Sequence, residues 1–374
     1  MRVHAKRAGA LVGGLLFSAW SFADWTMNMT PGVTGTSNSI FSLHMTILWI
    51  CVVIGVVVFG VMFWSIFAHR KSQGYKPANF HENTVVEVLW TIIPLAILVA
   101  MAIPATATLV DMYDTSESEV DIKITGYQWK WQYEYLDEEF GYFSNLATPR
   151  DQINNRQEKG ENYLLEVDNP LIVPVGKKVR LLLTANDVIH SWWVPDFGVK
   201  KDAIPGFINE AWTRVDKPGI YRGQCTELCG KDHGFMPIVV KAVPEEEYNT
   251  WVAEQKAAAE KERELTQKDW TLAELMERGE KAYQTSCAAC HQPDGSGAPP
   301  AFPALKGSPI ATGDIAAHMD IVVHGKSGTA MQAFGSQLSE VDLAAVITFE
   351  RNAWGNNTGD MVTPKQIFDY KNQQ

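Results

Sequence analysis

The side chains best suited to metal chemistry crowd into one short segment, residues 225–236. Among its side chains are two thiols, the carboxylate of a glutamate, an imidazole and a thioether, in the order Cys225, Glu227, Cys229, His233 and Met236. A further imidazole, His190, lies upstream. Thiolate and thioether ligands are soft and suit copper. Two alternatives stay open. One is a structural zinc site made by two thiolates and two imidazoles, and the other is a disulfide, which leaves the remaining groups without a shared role.

A second chemical motif, Cys287-Ala288-Ala289-Cys290-His291, has the spacing of covalent c-type haem attachment. In such motifs Cys287 and Cys290 add to the haem vinyl groups and His291 takes the proximal position on iron. A thioredoxin-like redox pair and a zinc knuckle are the alternatives. The trailing histidine weighs against the first, and the lack of a second ligand pair nearby in the sequence weighs against the second.

We expect the sixth haem ligand to be Met331. It follows the glycine-rich stretch Gly325–Gly328 and precedes an amphipathic segment, Ser339–Arg351. Met319 falls within a predicted helix and Met361 follows the last helical pattern, so neither suits a loop ligand. Two imidazoles on the predicted helix are expected to be surface groups, namely His318 and His324.

The 374 residues carry a formal charge of −11, which argues against a nucleic-acid partner. The length suggests more than one folded unit. The apolar residues are bunched in the first 110 positions, and the charges lie beyond them. Five cysteines are too few for a disulfide scaffold of this size.

The N-terminal part of the chain has the features of export and membrane insertion. Residues 1–23 read as a signal peptide, because their apolar run is shorter than the ~20 residues of a span; a third span is the alternative. Within residues 24–119, apolar runs at about 45–68 and 88–110 predict a transmembrane helical hairpin. The basic loop between the runs belongs in the cytoplasm. We therefore expect a multi-pass membrane protein, with both termini and a large C-terminal part outside the cytoplasm.

Glu87 lies at the cytoplasmic start of the second apolar run. An ionisable group in a membrane segment is costly unless it meets water or a partner, so it is a functional candidate. The alternative is an interfacial carboxylate favoured by the helix N-terminal dipole.

The residue pattern changes twice in the rest of the chain. Residues 120–243 contain short β-prone runs that predict a sandwich or barrel. These runs are Val120–Thr125, Tyr163–Val167, Leu171–Val175 and Lys178–Thr184. Residues 244–269 predict an exposed helix or semi-rigid linker. Residues 270–374 carry helical patterns and more acidic than basic side chains, which favours a positively charged electron donor.

Four aromatic residues alternate along one predicted strand: Trp129, Trp131, Tyr133 and Tyr135. Alternate positions of a strand share one face. A packed core ladder is the simplest interpretation for most of them.

These features closely resemble subunit II of the haem-copper cytochrome c oxidases. The resemblance covers roughly residues 40–243 and is carried by both spans, by residues 128–135 and by the segments 187–192, 202–206 and 223–230. The haem region resembles small class I cytochromes c. The implied fold class is multidomain: a two-helix transmembrane hairpin, an all-β cupredoxin-like sandwich or barrel, and an all-α cytochrome c domain.

The resemblance implies a dinuclear copper (CuA) centre in the β domain. Cys225 and Cys229 would bridge the two coppers, while His190 and His233 would each bind one. Met236 would be a weak axial ligand.

Three further roles are implied by the resemblance alone. Glu227 would give its backbone carbonyl to copper and its carboxylate to a magnesium ion shared with subunit I. Trp129 would be the residue through which electrons enter. Glu87 would lie at the mouth of a proton path into subunit I.

The function hypothesis is therefore subunit II of a bacterial cytochrome c oxidase with a fused, haem c-binding cytochrome. Its partners would be subunits I and III and a cytochrome c or similar donor, and oxygen chemistry would occur in subunit I. Two alternatives remain: a CuA-containing subunit of a nitric oxide reductase, and a copper-binding or delivery protein.

Overall fold

The computed structural model describes residues 28–76, 81–326, 328–335 and 337–372, so the expected signal peptide lies outside the described residues. The chain divides into two compact units. One comprises the residues up to 131 together with 144–243, and the other comprises 132–143 together with 244–374.

Two long apolar helices begin the first unit: α1, Gly35–Ala68, and α2, Thr84–Tyr113. Each is long and apolar enough to cross a membrane. Both start before the apolar runs because the side chains of Thr34 and Asn83 cap them, each accepting a backbone N–H of the first turn.

Both helices are fixed to the β domain at the end nearer to it. The Thr34 hydroxyl donates to the Phe197 carbonyl at 2.9 Å, at the start of α1. The Trp212 indole donates to the Asp111 carbonyl at 2.9 Å, at the end of α2. These contacts anchor the hairpin within the same unit as the β domain.

The β domain contains two five-stranded sheets. The strands are β1 Val120–Tyr127, β2 Lys130–Tyr135, β3 Phe140–Ser144, β4 Leu171–Pro174, β5 Val179–Ala185, β6 His190–Val194, β7 Val199–Ala203, β8 Asn209–Thr213, β9 Gly219–Cys225 and β10 Pro237–Val243, and a short helix, α3 Arg150–Ile153, follows β3. The sheet orders are β3-β2-β1-β5-β8 and β4-β10-β9-β6-β7. The β1–β5 and β4–β10 pairs are parallel. This arrangement confirms the predicted all-β domain.

One predicted strand, Tyr163–Val167, is wrong. Leu164 has a left-handed backbone (φ 62°), which breaks the extended run. Only Val167 takes part in pairing, as an isolated bridge to Leu146. The aromatic ladder is confirmed for the side chains of β2, where Trp131 and Tyr133 are wholly buried.

The second unit begins its main segment with helix α4, Glu245–Gln267, where the charged linker was expected. Trp251 on this helix packs against Tyr135 and Phe140 of the 132–143 hairpin, with ring centroids 5.2 and 5.5 Å apart. Tyr248 and Val252 are buried beside it. One face of α4 is therefore packed rather than exposed.

The remaining helices form the expected all-α domain. They are α5 Leu272–Ser286, α6 Ala288–His291, α7 Pro309–Thr312, α8 Ile315–His324, α9 Glu340–Asn352 and α10 Pro364–Asn372. Helices α5 and α9 cross closely at Gly279, where an added Cβ would lie 2.1 Å from the Ala345 carbonyl oxygen. The buried face of α9, including Leu343 and Ile347, forms the centre of this core.

Candidate metal centres

Two neighbouring strands bring the thiols and the upstream imidazole together. His190 begins β6 and Cys225 ends β9, and these strands pair antiparallel with Trp192 opposite Cys225. The loop after β9 then carries Cys229, and the chain makes a short turn at His233 before β10. Residues separated in sequence therefore share one end of a sheet.

The distances define a compact cluster of soft donors. The Sγ atoms of Cys225 and Cys229 are 3.9 Å apart. His190 Nδ1 lies 4.0 Å from Cys225 Sγ, and His233 Nδ1 lies 3.4 Å from Cys229 Sγ. Met236 Sδ lies 3.5 Å from Cys229 Sγ. Both cysteines are free thiols, so the disulfide alternative is not what the structure shows.

Burial makes this cluster suited to a cation. His190, Cys225 and Cys229 are all buried and present ligand atoms close enough to hold one metal ion. Burial, with the neighbouring Cys225 thiol, raises the pKa of Cys229 to about 12. Burial also opposes ionisation of Cys225, but its hydrogen bonds to His190 and nearby backbone bring its pKa below the usual value. Two thiolates in this site therefore need compensating positive charge, and the donor set fits copper.

Glu227 is placed differently from the other candidates. Its side chain is exposed, whereas its backbone carbonyl accepts a hydrogen bond from the Cys225 thiol at 3.4 Å. The backbone carbonyl of Glu227 therefore belongs to the cluster, whereas its side chain is exposed.

Trp129 lies just before strand β2 rather than within its ladder. Its indole N–H donates to the Cys229 carbonyl at 3.2 Å, and the Gln128 side-chain amide donates to the same oxygen at 2.8 Å. The structure thus places Trp129 in direct contact with the loop that carries Cys229.

Sequence reasoning gave no role to Asp187. Its carboxylate lies 2.8 Å from Nε2 of His190 and accepts the backbone N–H of Gln128 at 2.7 Å. Burial is the largest single influence on the pKa of His190 and lowers it, but the hydrogen bonds and charges of Asp187 and Cys225 together outweigh burial, so the net pKa is raised. The only sequence signal for this contact is the three-residue spacing between the two.

The haem motif forms the short helix α6 and the residue before it. Cys287 is half-buried, and burial raises the pKa of its thiol well above the usual value. His291 Nδ1 lies 2.9 Å from the Pro303 carbonyl. This oxygen accepts the Nδ1 proton, which leaves Nε2 unprotonated for an iron. The residues therefore fit a haem, and Pro303 is a site residue that the motif alone did not reveal.

Met331 lies half-buried in a loop before α9, with its carbonyl accepting the Lys326 N–H at 3.0 Å. Met319 is buried within α8, and Met361 is partly exposed. The expectation that His318 is a surface group is wrong. It is 2 % exposed and its Nε2 lies 2.8 Å from the buried Glu350 carboxylate, because its face of α8 packs on α9.

His324, by contrast, is a surface group on the same helix.

Glu87 lies in the first turn of α2, where one carboxylate oxygen accepts the Asn83 backbone N–H at 3.1 Å. This contact closes the helix N-terminus and gives Glu87 a local structural role.

Comparisons with known proteins identify the chain. The family model of the cytochrome c oxidase subunit II periplasmic domain matches residues 120–243, and that of the subunit II transmembrane domain matches residues 23–107. The chain is 38% identical over 258 residues to a probable cytochrome c oxidase subunit 2 of Rickettsia bellii, covering 68% of this chain and 94% of that protein.

This chain belongs to the cytochrome c oxidase subunit II family.

Another relative, a solved structure and another family model also match. Cytochrome c oxidase subunit 2 of Cereibacter sphaeroides is 38% identical over 235 residues, which cover 59% of this chain and 78% of that protein. The crystallised periplasmic domain of subunit II of cytochrome oxidase from Bradyrhizobium japonicum is 43% identical, covering 38% of this chain and 98% of that one, with a TM-score of 0.35. The family model described as subunit III of cbb3-type cytochrome c oxidase matches residues 274–349.

The chain is thus a subunit II with a C-terminal cytochrome c domain, a membrane component of an oxidoreductase complex. Membership implies CuA copper in the β domain, haem in the C-terminal domain, and subunit I as a partner.

Proposed function

We propose that this subunit II accepts electrons from an external donor at a covalently bound haem c and delivers them through a CuA centre to haem in subunit I. There oxygen is reduced to water with proton pumping. One observation supports this proposal above all. Two buried thiols, two imidazoles and a thioether lie together in a chain that also contains a haem attachment motif.

Residues 225–236, here called the copper loop, support electron transfer because they keep the metal-binding side chains in fixed positions. The residues that would hold two coppers are Cys225, Cys229, His190, His233 and Met236, together with the backbone carbonyl of Glu227. When bound, such a copper pair shares one electron over both metals. The buried, strand-anchored ligands limit rearrangement as charge changes.

The cytochrome domain supplies the acceptor for the external donor. Cys287 and Cys290 would hold the haem covalently, and His291, oriented by the Pro303 carbonyl, and Met331 would be the residues that ligate its iron. When bound, haem supplies a one-electron carrier.

Three peripheral residues connect the subunit with its partners. Trp129 conducts electrons into the copper loop, and Glu227 offers its exposed carboxylate to a magnesium ion shared with subunit I. Glu87 opens a proton path in subunit I. The assembly includes subunit III and uses a cationic cytochrome c or similar donor.

In this proposal the chain is organised as five segments. They are a signal peptide (1–23), a two-span anchor (24–119), a copper domain (120–243), a linker (244–269) and a cytochrome domain (270–374). The protein lies in the bacterial inner membrane, with both C-terminal domains on the periplasmic side.

The test uses Cys229→Ser in the full chain, with Cys51→Ser as the matched control on the exposed surface of α1. Cys229→Ser should abolish the dinuclear copper spectrum while the haem absorbance persists, because the Cys229 thiol would hold copper and lies outside the cytochrome domain. Cys51→Ser should retain both. Unchanged copper spectra in Cys229→Ser would contradict the proposal.

A further inference from the structure

One carboxylate, that of Asp187, collects three hydrogen bonds. Oδ1 accepts the backbone N–H of Val188 at 2.7 Å and lies 2.8 Å from Nε2 of His190. Oδ2 accepts the backbone N–H of Gln128 at 2.7 Å. The side chain is only 19% exposed, so these contacts largely replace water as its partners.

The contact with His190 determines which ring nitrogen carries the proton. An ionised carboxylate only accepts hydrogen bonds, so Nε2 of His190 must donate. Nδ1 then carries the free electron pair, and it is the atom that lies 4.0 Å from Cys225 Sγ. Carboxylate partners of this kind orient metal-binding imidazoles and raise their basicity.

The contact with Gln128 extends the same carboxylate to the aromatic segment. The Gln128 backbone is held by Asp187, and its side chain is held by the Cys229 carbonyl at 2.8 Å. The neighbouring Trp129 indole donates to that carbonyl as well, at 3.2 Å. The segment carrying Trp129 is therefore tied to both ligand-bearing loops.

We propose that Asp187 is a positioning residue for electron transfer, which aims His190 at the copper pair and fixes Trp129 on the Cys229 carbonyl. This inference rests on the proposed function. Asp187 also places a negative charge next to a ligand. That charge stabilises the oxidised, more positive form of the centre, so its removal should raise the reduction potential.

The experiment compares Asp187→Asn, Asp187→Ala and wild type as haem-loaded full chains, with Asp216→Asn as an exposed, charge-matched control. Copper affinity is measured by competition with a copper chelator, and the copper potential by spectroelectrochemistry. Asp187→Asn keeps an oxygen that can accept from His190 but loses the charge, whereas Asp187→Ala loses both.

We expect Asp187→Ala to bind copper about 10- to 100-fold more weakly, a range typical of lost outer-shell partners. We expect Asp187→Asn to retain more affinity but to raise the copper potential. In both variants we also expect a change in tryptophan fluorescence that is absent when Trp129 is replaced by Phe. Asp216→Asn should match wild type. The Asn variant, with its near-identical shape, carries the test if the Ala variant does not fold.

The two proposals fail in different ways. A wild-type chain that forms no dinuclear copper centre would overturn the proposed function. A wild-type centre with potential, spectrum and affinity equal to those of Asp187→Asn and Asp187→Ala would overturn only the positioning role of Asp187.

Discussion

Arg278 on α5 donates to the carboxylate of Glu262 on α4 at 2.7 Å. The same guanidinium donates through Nε to Asp342 on α9, also at 2.7 Å. Glu262 in turn accepts from the Ser339 hydroxyl at 2.7 Å. The charged linker helix is thus joined to the cytochrome helices by a bonded network rather than lying free beside them.

This network should give a measurable coupling energy. A double-mutant cycle with Glu262→Gln and Arg278→Gln should yield about 1 kcal/mol, the upper end for partly exposed pairs. Denaturant unfolding of the full chain, followed at the haem band, provides the measurement. The matched control is Glu277–Lys281, whose side chains are both 74% exposed, and which should couple by at most about 0.5 kcal/mol. Equal coupling energies in the two cycles would show that the Glu262–Arg278 pair contributes no more to stability than an ordinary exposed pair.

The ion pair between Arg351 and Asp360 should make the cytochrome domain sensitive to acid. The hydrogen bond from Arg351, which is 2 % exposed, lowers the pKa of Asp360. A depressed folded-state pKa gives stability that is complete above the unfolded value of about 3.9 and is lost as pH falls through the folded value. Asp360→Asn should therefore destabilise the domain by about 1–3 kcal/mol near neutral pH, the cost of a weakened buried hydrogen-bonding group. The Arg351 guanidinium loses its charged partner but keeps the carbonyls of Ala311 and Gly313.

The measurement is the free energy of unfolding against pH, with Asp369→Asn as a control on α10. The wild-type and control curves should fall below about pH 4, and the Asp360→Asn curve should be flatter there. Parallel acid limbs in all three proteins would exclude this pair as the acid-sensitive element.

Met331→Ala should remove the sixth haem ligand. Because methionine ligation raises haem reduction potentials, the variant's potential should fall while covalent haem and His291 ligation remain. Redox titration and the absorption spectrum of the full chain measure this. Met361→Ala, at a partly exposed methionine after α9, should behave as wild type. A lowered potential in Met361→Ala instead would transfer the ligand role to that residue.

Glu87→Gln should slow oxygen consumption by the assembled oxidase without altering either metal spectrum. The rate of oxygen consumption should fall because the proton path needs an ionisable group at its entrance. Glu82→Gln, an exposed carboxylate in the preceding loop, is the matched control. Equal turnover in both variants would leave Glu87 with only the helix-capping contact to Asn83.

The parts of this protein that sequence could predict are local in the chain. The copper donors between Cys225 and Met236 and the haem motif at Cys287 are encoded by types and spacing within a dozen residues. The apolar runs likewise predicted both long helices, because a span needs only length and hydropathy.

The parts that sequence could not predict depend on tertiary contacts. Asp187 hydrogen-bonds to Gln128, which is 59 residues away in sequence. The Pro303 carbonyl contacts His291 because the loop that carries Pro303 folds back onto the haem motif. The burial of His318 depends on which face of a ten-residue helix packs on α9, and so short a helix gives a weak pattern. The prediction of a strand at Tyr163–Val167 was wrong because Leu164 has a left-handed backbone, which the β-propensity of its neighbours does not reveal.

The most direct test is a count of metals in the full chain, combined with electron paramagnetic resonance of its oxidised form. The account predicts two coppers and one iron per chain, with a single unpaired electron shared between the coppers. One zinc held by Cys225 and Cys229, or a disulfide between them in the assembled oxidase, would contradict it.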